Sequence, residues 1–203
     1  MVTNRRTVQA EDEEDFYPTE PWPTWSLFGH EVFEGSILEP ACGDGAMAKI
    51  ISAAGHNVIA KDLNNQGYGK TGCDFLRPSP LRYDNVITNP PYNEAEAFVH
   101  QALKTARKKV AMLLRLAFLE GGDRGDGLYV TNPPSHIWIF SRRLTFYPKR
   151  DPGEGKGTTA YAWFIWDKAR ATQGNPTFGW IRDRADTPEH ELRAAAAIKQ
   201  RLV

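Results

Sequence analysis

The sequence predicts an α/β protein with a doubly wound, mostly parallel sheet and helices on both faces. Three observations carry this. Short β-rich runs alternate with helix-forming segments along the first half of the chain. A glycine-rich turn joins the first strand to a helix. An acid, Asp62, ends the next strand, 19 residues after Gly43. Strand, glycine turn, helix, strand, acid is the opening unit of such a sheet.

The elements follow in order. Residues 1–15 are polar and end in the acidic run Glu11 to Asp15, which reads as a frayed tail. Residues 16–203 read as one domain without a further boundary. In the Pro- and Trp-dense stretch from Phe16 to Phe33, Pro23 suits the first turn of a short helix through Phe28. Ser36 to Leu38 reads as a buried strand running into Glu39-Pro40-Ala41-Cys42-Gly43-Asp44-Gly45. Ala46 to Ala54 is a good helix former, and Gly55 stands where a C-terminal cap belongs. Asn57 to Lys61 is a second strand. Cys73 to Leu76 is a third candidate, and Asp84 to Thr88 a fourth. Glu94 to Arg107 has the spacing of an amphipathic helix, and Val110 to Leu119 reads as a long apolar strand. His136–Phe140 and Tyr161–Trp166 flank a basic loop and suggest a long hairpin at the sheet edge. Glu189 to Leu202 reads as a C-terminal helix.

Composition narrows the class. A chain of 203 residues with 41% hydrophobic and 25% charged residues is a folded globular protein. No apolar run nears the roughly 20 residues of a membrane span, and no apolar segment follows the N-terminal arginines as a secretory signal would require. Two cysteines, Cys42 and Cys73, make no disulfide framework and suggest a reducing, cytoplasmic setting. The five histidines are scattered without zinc-ligand spacing, so no metal is expected. The net charge is zero, yet residues 1–101 carry 7 bases against 15 acids and residues 102–203 carry 18 against 10. Such asymmetry points toward a polyanion partner.

Two motifs carry chemistry. In the first, Gly43 and Gly45 allow a tight turn and close approach of a ligand. Asp62 is placed to accept from a ribose diol. The third glycine of the dinucleotide fingerprint is missing, which favours a smaller nucleoside over a pyrophosphate cofactor. In the second, Asn89-Pro90-Pro91-Tyr92 ends a strand. Two prolines remove two N–H donors and leave acceptors, the Asn89 amide oxygen and the Pro90 carbonyl, beside an aromatic ring. That set suits a planar substrate bearing an exocyclic amino group.

Together, LEPACGDG, Asp62, Cys73-Asp74-Phe75 and NPPY resemble, in order and spacing, the S-adenosylmethionine-dependent amino-methyltransferases, and most of all the N6-adenine DNA methyltransferases. YPTEPW (Tyr17–Trp22) resembles the Thr-Pro segment before that family's first helix. The resemblance spans about residues 17–167. It implies a Rossmann-like class I methyltransferase sheet of seven strands, mostly parallel with the last antiparallel. It implies S-adenosylmethionine as cofactor and transfer of its methyl group to adenine N6 in DNA.

Residue by residue, it implies that Glu39, Ala41 and Gly43 line the methionine part of the cofactor. Asp62, with Leu63 beside it, would hold the ribose. Asp74 and Phe75 would take the cofactor's adenine, and Tyr17 and Thr19 would contact it from the N-terminal segment. Asn89, Pro90, Pro91 and Tyr92 form the implied catalytic set, with Asn89 also against the cofactor and Tyr92 stacked on the target base. Phe146 matches a second base-stacking aromatic or packs in the hairpin. Arg142, Arg143 and Lys149 suit phosphate contact. Cys42 lies inside the glycine turn and reads as a packing residue, not a nucleophile. Trp138, Trp163 and Trp166 read as core, while Trp22 and Trp25 are candidates to pack over the cofactor.

The expected partner is nucleic acid, DNA ahead of RNA, with no membrane and with the oligomeric state open, a dimer included. The chain has no evident target-recognition domain and is similar in size to small stand-alone enzymes of phages and mobile elements. RNA adenine or guanine methylation and protein glutamine methylation are the alternatives with the same chemistry. A non-catalytic nucleic-acid-binding partner is the alternative without it.

Overall fold

The computed structural model describes residues 19–144, 159–170 and 175–182. In chain order the elements are α1 (Pro21–His30), β1 (Ile37–Glu39), α2 (Ala46–Ala53), β2 (Val58–Ala60), β3 (Tyr83–Thr88), α3 (Ala95–Thr105), β4 (Ala106–Arg115), α4 (Gly122–Asp126), α5 (Leu128–Thr131), β5 (His136–Phe140), β6 (Tyr161–Asp167) and β7 (Thr177–Ile181). The strands form one sheet in the order β2-β1-β3-β4-β6-β5-β7. Strand β6 runs antiparallel to both neighbours, and the other pairs are parallel.

Alternation along the central strands builds two cores. On one face Ile87, Ala111, Leu113, Trp163 and Ile165 pack under α1 and α2. On the other, Val86, Val110, Met112, Leu114 and Phe164 pack under α3 and Leu128. Both faces of β4 and β6 are therefore dry, as expected of strands covered by helices on each side.

Several expectations need correction. Cys73 to Leu76 is not a strand. Asp74 turns its carboxylate back to accept from Leu76 N at 3.0 Å, which makes a turn there. The antiparallel strand is the sixth, and the last, β7, lies parallel to β5. The β5–β6 pair is antiparallel as expected but not at the edge, because β7 covers β5. Strand β4 begins at Ala106 and stops at Arg115, and Leu116–Leu119 winds into a 3₁₀ turn. The early start is held by ion pairs: Lys108 reaches Glu34 at 3.1 Å and Lys109 reaches Glu31 at 2.7 Å. Trp22 and Trp25 do not cover a ligand site. They are buried in the first core, Trp22 edge-on to Phe140 with ring centroids 5.1 Å apart. Trp163 and Trp166 are buried and Trp138 is half-buried. The expected helix over 189–202 and the tail over 1–15 lie outside the described residues. No helix among the described residues is long and apolar enough to cross a membrane.

Candidate active site

The sheet order changes direction between β1 and β3: from β1 the chain continues outward to β2, then returns to β3 on the other side. Such a switch point opens a crevice at the carboxyl ends of the strands. Here the crevice is a cleft of about 490 Å³, whose walls include Glu39, Gly43, Asp62, Asp74, Asn89 and Tyr92.

The glycine turn forms the floor. Gly43 and Gly45 both have positive φ, 54° and 79°. A Cβ on Gly45 would fall inside the Tyr68 ring, so two constraints require glycine there. Gly43 N donates to Asp62 Oδ2 at 2.8 Å, and Asn64 N donates to Asp62 Oδ1 at 2.8 Å. Asp62 thus fixes the turn to the end of β2. The loop after Asp62 folds back along the strand, with Asp62 N donating to Lys70 O at 2.9 Å and Cys73 N to Asp62 O at 2.9 Å. This returning loop stands where a third strand was expected.

Glu39 is 2% exposed, and its Oε2 is buried without a protein partner. Burial, reinforced by Asp62 and Asp44, raises its pKa well above the usual carboxylate range. A buried acid with a free oxygen is suited to a cationic ligand group, whose arrival would restore the charge. The sign for stability follows from the raised pKa. The free protein loses stability as pH climbs above the unfolded carboxyl pKa toward the raised folded one, because the native state binds the extra proton. Glu39→Gln is therefore expected to flatten the fall of melting temperature with rising pH and to weaken cofactor binding. Thermal melts across pH and titration calorimetry check both; a pH dependence like that of the unmodified protein would sink the assignment.

Asn89 ends β3. Its Nδ2 donates to Thr19 Oγ1 at 3.2 Å, and its Oδ1 is buried without a protein partner. Thr19, 7% exposed, lines the same cleft. Tyr92 starts the 3₁₀ turn that leads into α3. Burial pushes its phenol pKa up, with Tyr161 adding to the shift. The Arg115 guanidinium lies over its ring, 4.4 Å from the centroid.

Most residues expected at the site meet in this one cleft: Thr19, Glu39, Ala41, Gly43, Asp62, Leu63, Asp74, Phe75 and Asn89 through Tyr92 all line it. Asp74 is partly engaged, with Arg77 Nε 3.3 Å from its Oδ2, and Phe75 packs on Phe98 at 5.2 Å. Arg142 and Arg143 do not line the cleft. They are exposed and follow β5, whose carboxyl end points the same way as those of β1, β3 and β4. Tyr17, Phe146 and Lys149 lie outside the described residues. Cys42 is buried, and burial beside Glu39 and Asp62 pushes its thiol up to about 12, which leaves no thiolate for nucleophilic chemistry. Sequence reasoning missed Arg115 and Tyr161. Their signal was that Arg115 interrupts the apolar run Val110 to Leu119 and that Tyr161 starts another.

Asp62→Ala removes two acceptors from the turn and is expected to cost about 1–3 kcal/mol of stability and to lower cofactor affinity. Calorimetry giving an unchanged affinity would count against a ribose role for this carboxylate.

No protein-family model matches this chain, and no curated protein matches it in sequence. Solved structures do match it in fold. The M protein of the type I restriction enzyme EcoKI superposes with a TM-score of 0.58 at 14% identity, over 91% of this chain and 53% of that one. A dimethyladenosine transferase from Plasmodium falciparum superposes with a TM-score of 0.51 at 12% identity, over 75% of this chain and 63% of that one. This chain spans less than two thirds of either. The fold is the Rossmann-like fold of class I methyltransferases.

Proposed function

We propose that this protein binds S-adenosylmethionine in the cleft and methylates the exocyclic N6 of adenine in DNA. The observation that carries the proposal is the buried Asn89 Oδ1, an acceptor without a protein partner at the end of β3. Two prolines that lack N–H donors follow Asn89 and lead to the aromatic Tyr92, in the same cleft as an acid with a free oxygen. The cofactor fits the residues present. Glu39 would take its amino group, Asp62 and Leu63 its ribose, and Asp74 and Phe75 its adenine. When bound, S-adenosylmethionine supplies a methyl group already activated on sulfur.

The protein's own task lies with the amine. An aromatic amino group is a poor nucleophile because its lone pair is delocalised into the ring. Asn89 Oδ1 and the Pro90 carbonyl would each accept one N–H, drawing the nitrogen toward tetrahedral geometry as positive charge develops on it. This is electrostatic stabilisation by fixed dipoles together with alignment of the attacking atom. Thr19 fixes the Asn89 amide, so little reorganisation is left for the reaction. Tyr92 would stack on the extruded base and offset part of the cost of unstacking it. We put DNA ahead of RNA on the resemblance of the motifs.

The test is incubation with tritiated S-adenosylmethionine and DNA, RNA or protein, followed by identification of the labelled product. N6-methyldeoxyadenosine is expected. Label in RNA alone would move the substrate, and label in protein alone would overturn the proposal.

A further inference from the structure

Tyr92 does not stand free. The β4–β6 register sets Arg115 opposite Tyr161, and Tyr92 rests on that cross-strand pair. Its ring lies 5.8 Å from the Tyr161 ring, at 45°, and 4.4 Å from the Arg115 guanidinium carbon. Arg115 continues the row Ala111, Leu113 that builds the first core, but it is the member that reaches solvent. Three other arginines near the sheet and its helices behave differently. Arg77, Arg107 and Arg124 lie within 4 Å of Asp74, Asp84 and Glu96. Among the described residues no carboxylate pairs with Arg115.

A guanidinium over an aromatic face keeps its edge N–H groups free, since cation–π contact uses the plane and hydrogen bonding uses the rim. Arg115 is exposed and lies against Tyr92, which itself lines the cleft, so its rim is within reach of a nucleotide held there. An exposed arginine with no acid partner there is matched to a phosphate, which accepts two parallel N–H bonds. From this geometry we infer that Arg115 is a substrate-positioning residue: it backs the Tyr92 ring with its plane and binds a phosphate flanking the target adenine with its rim. The inference rests on the function proposed above and names the residue that ties the polymer backbone to the base-stacking ring. Holding both groups through one side chain would couple backbone register to base position.

Three variants test this. Arg115→Met keeps apolar cover on Tyr92 and removes the charge. Arg115→Lys keeps the charge and loses the planar stack. Arg115→Ala loses both. Binding and turnover are measured with a single-stranded oligonucleotide containing one adenine, and with copies in which either flanking phosphate is a neutral methylphosphonate. Arg115→Met is expected to raise the oligonucleotide KM by about ten- to a hundredfold, the worth of one charge-assisted hydrogen bond. It should also reduce the salt dependence of binding by about 0.7 in log–log slope, the share of one phosphate on a single strand. The unmodified protein should lose affinity on one of the two methylphosphonate strands, and Arg115→Met should bind all three alike. Arg115→Lys should recover the salt slope but not the full kcat. If the unmodified protein methylates nucleic acid and Arg115→Met matches it in KM and salt slope, the inference falls and the proposed function stands. If the unmodified protein methylates no nucleic acid, the proposed function falls first.

Discussion

Asn89→Ala is expected to lower methyl transfer by about 10²–10³-fold, the usual effect of deleting one preorganised polar group at a reacting atom, while cofactor affinity stays largely intact. The separation follows from the site. Asn89 reaches the cleft from β3, whereas the acid and turn assigned to the cofactor, Glu39, Gly43 and Asp62, are held by β1 and β2 and by the Gly43–Asp62 bond. On the protein side, removing the amide breaks its bond to Thr19 and its contact with the Tyr92 phenol, neither of which involves the acid or the turn. Single-turnover transfer of tritiated methyl and calorimetric binding of the cofactor measure the two effects separately. Equal loss of both would place Asn89 in cofactor binding instead.

Glu31→Ala is expected to destabilise the fold by about 3–5 kcal/mol, the range for breaking a buried charge pair on one side. Glu31 is 4% exposed at the end of α1. Its Oε2 takes Lys109 Nζ at 2.7 Å, and its Oε1 takes His136 Nδ1 at 2.8 Å and Trp138 Nε1 at 3.0 Å. One carboxylate therefore joins α1 to β4 and β5. Burial works against the Lys109 charge, but Glu31 and Asp167 outweigh it and hold the lysine pKa above its ordinary value. With Glu31 gone, Asp167 at 3.3 Å would be the remaining partner. Glu31→Gln keeps an acceptor for the two rings and should cost less. Urea unfolding measures both, and a loss under about 1 kcal/mol for the alanine variant, the scale of a surface pair, would refute the network's role.

What could be read in the sequence was what local chemistry dictates. The glycine turn, the acid at the end of β2 and the Asn-Pro-Pro-Tyr step are each contiguous or fall at fixed spacing, and they meet in one cleft. What could not be read depends on register and on distant partners. Arg115 meets Tyr92 because β4 runs beside β3, and meets Tyr161 because β4 pairs with β6, across separations that no local pattern encodes. The same holds for the start of β4: Ala106 and Arg107 read as a helix end, and the strand is held there by Glu31 and Glu34 beside Lys109 and Lys108. Cys73 to Leu76 had the composition of a strand, but the Asp74 side chain competes for the local backbone and turns it. Strand β7 was overlooked in part because Gly179 interrupts it. That glycine is what lets β7 lie beside β5, since a Cβ there would fall inside the Trp138 ring.

The strand order has a consequence for scale. Strand β3, which leads into Asn89, is third of the seven described strands, so the described sheet extends two strands to one side of the target pocket and four to the other. At roughly 4.8 Å per strand the long side measures about 19 Å. That is the length of five or six stacked bases at about 3.4 Å each. Arg115 lies near the start of this span, and Arg142 and Arg143 follow β5 toward its far end. Under the function proposed above, a polymer held across it would meet more of the described sheet on one side of the target base than on the other.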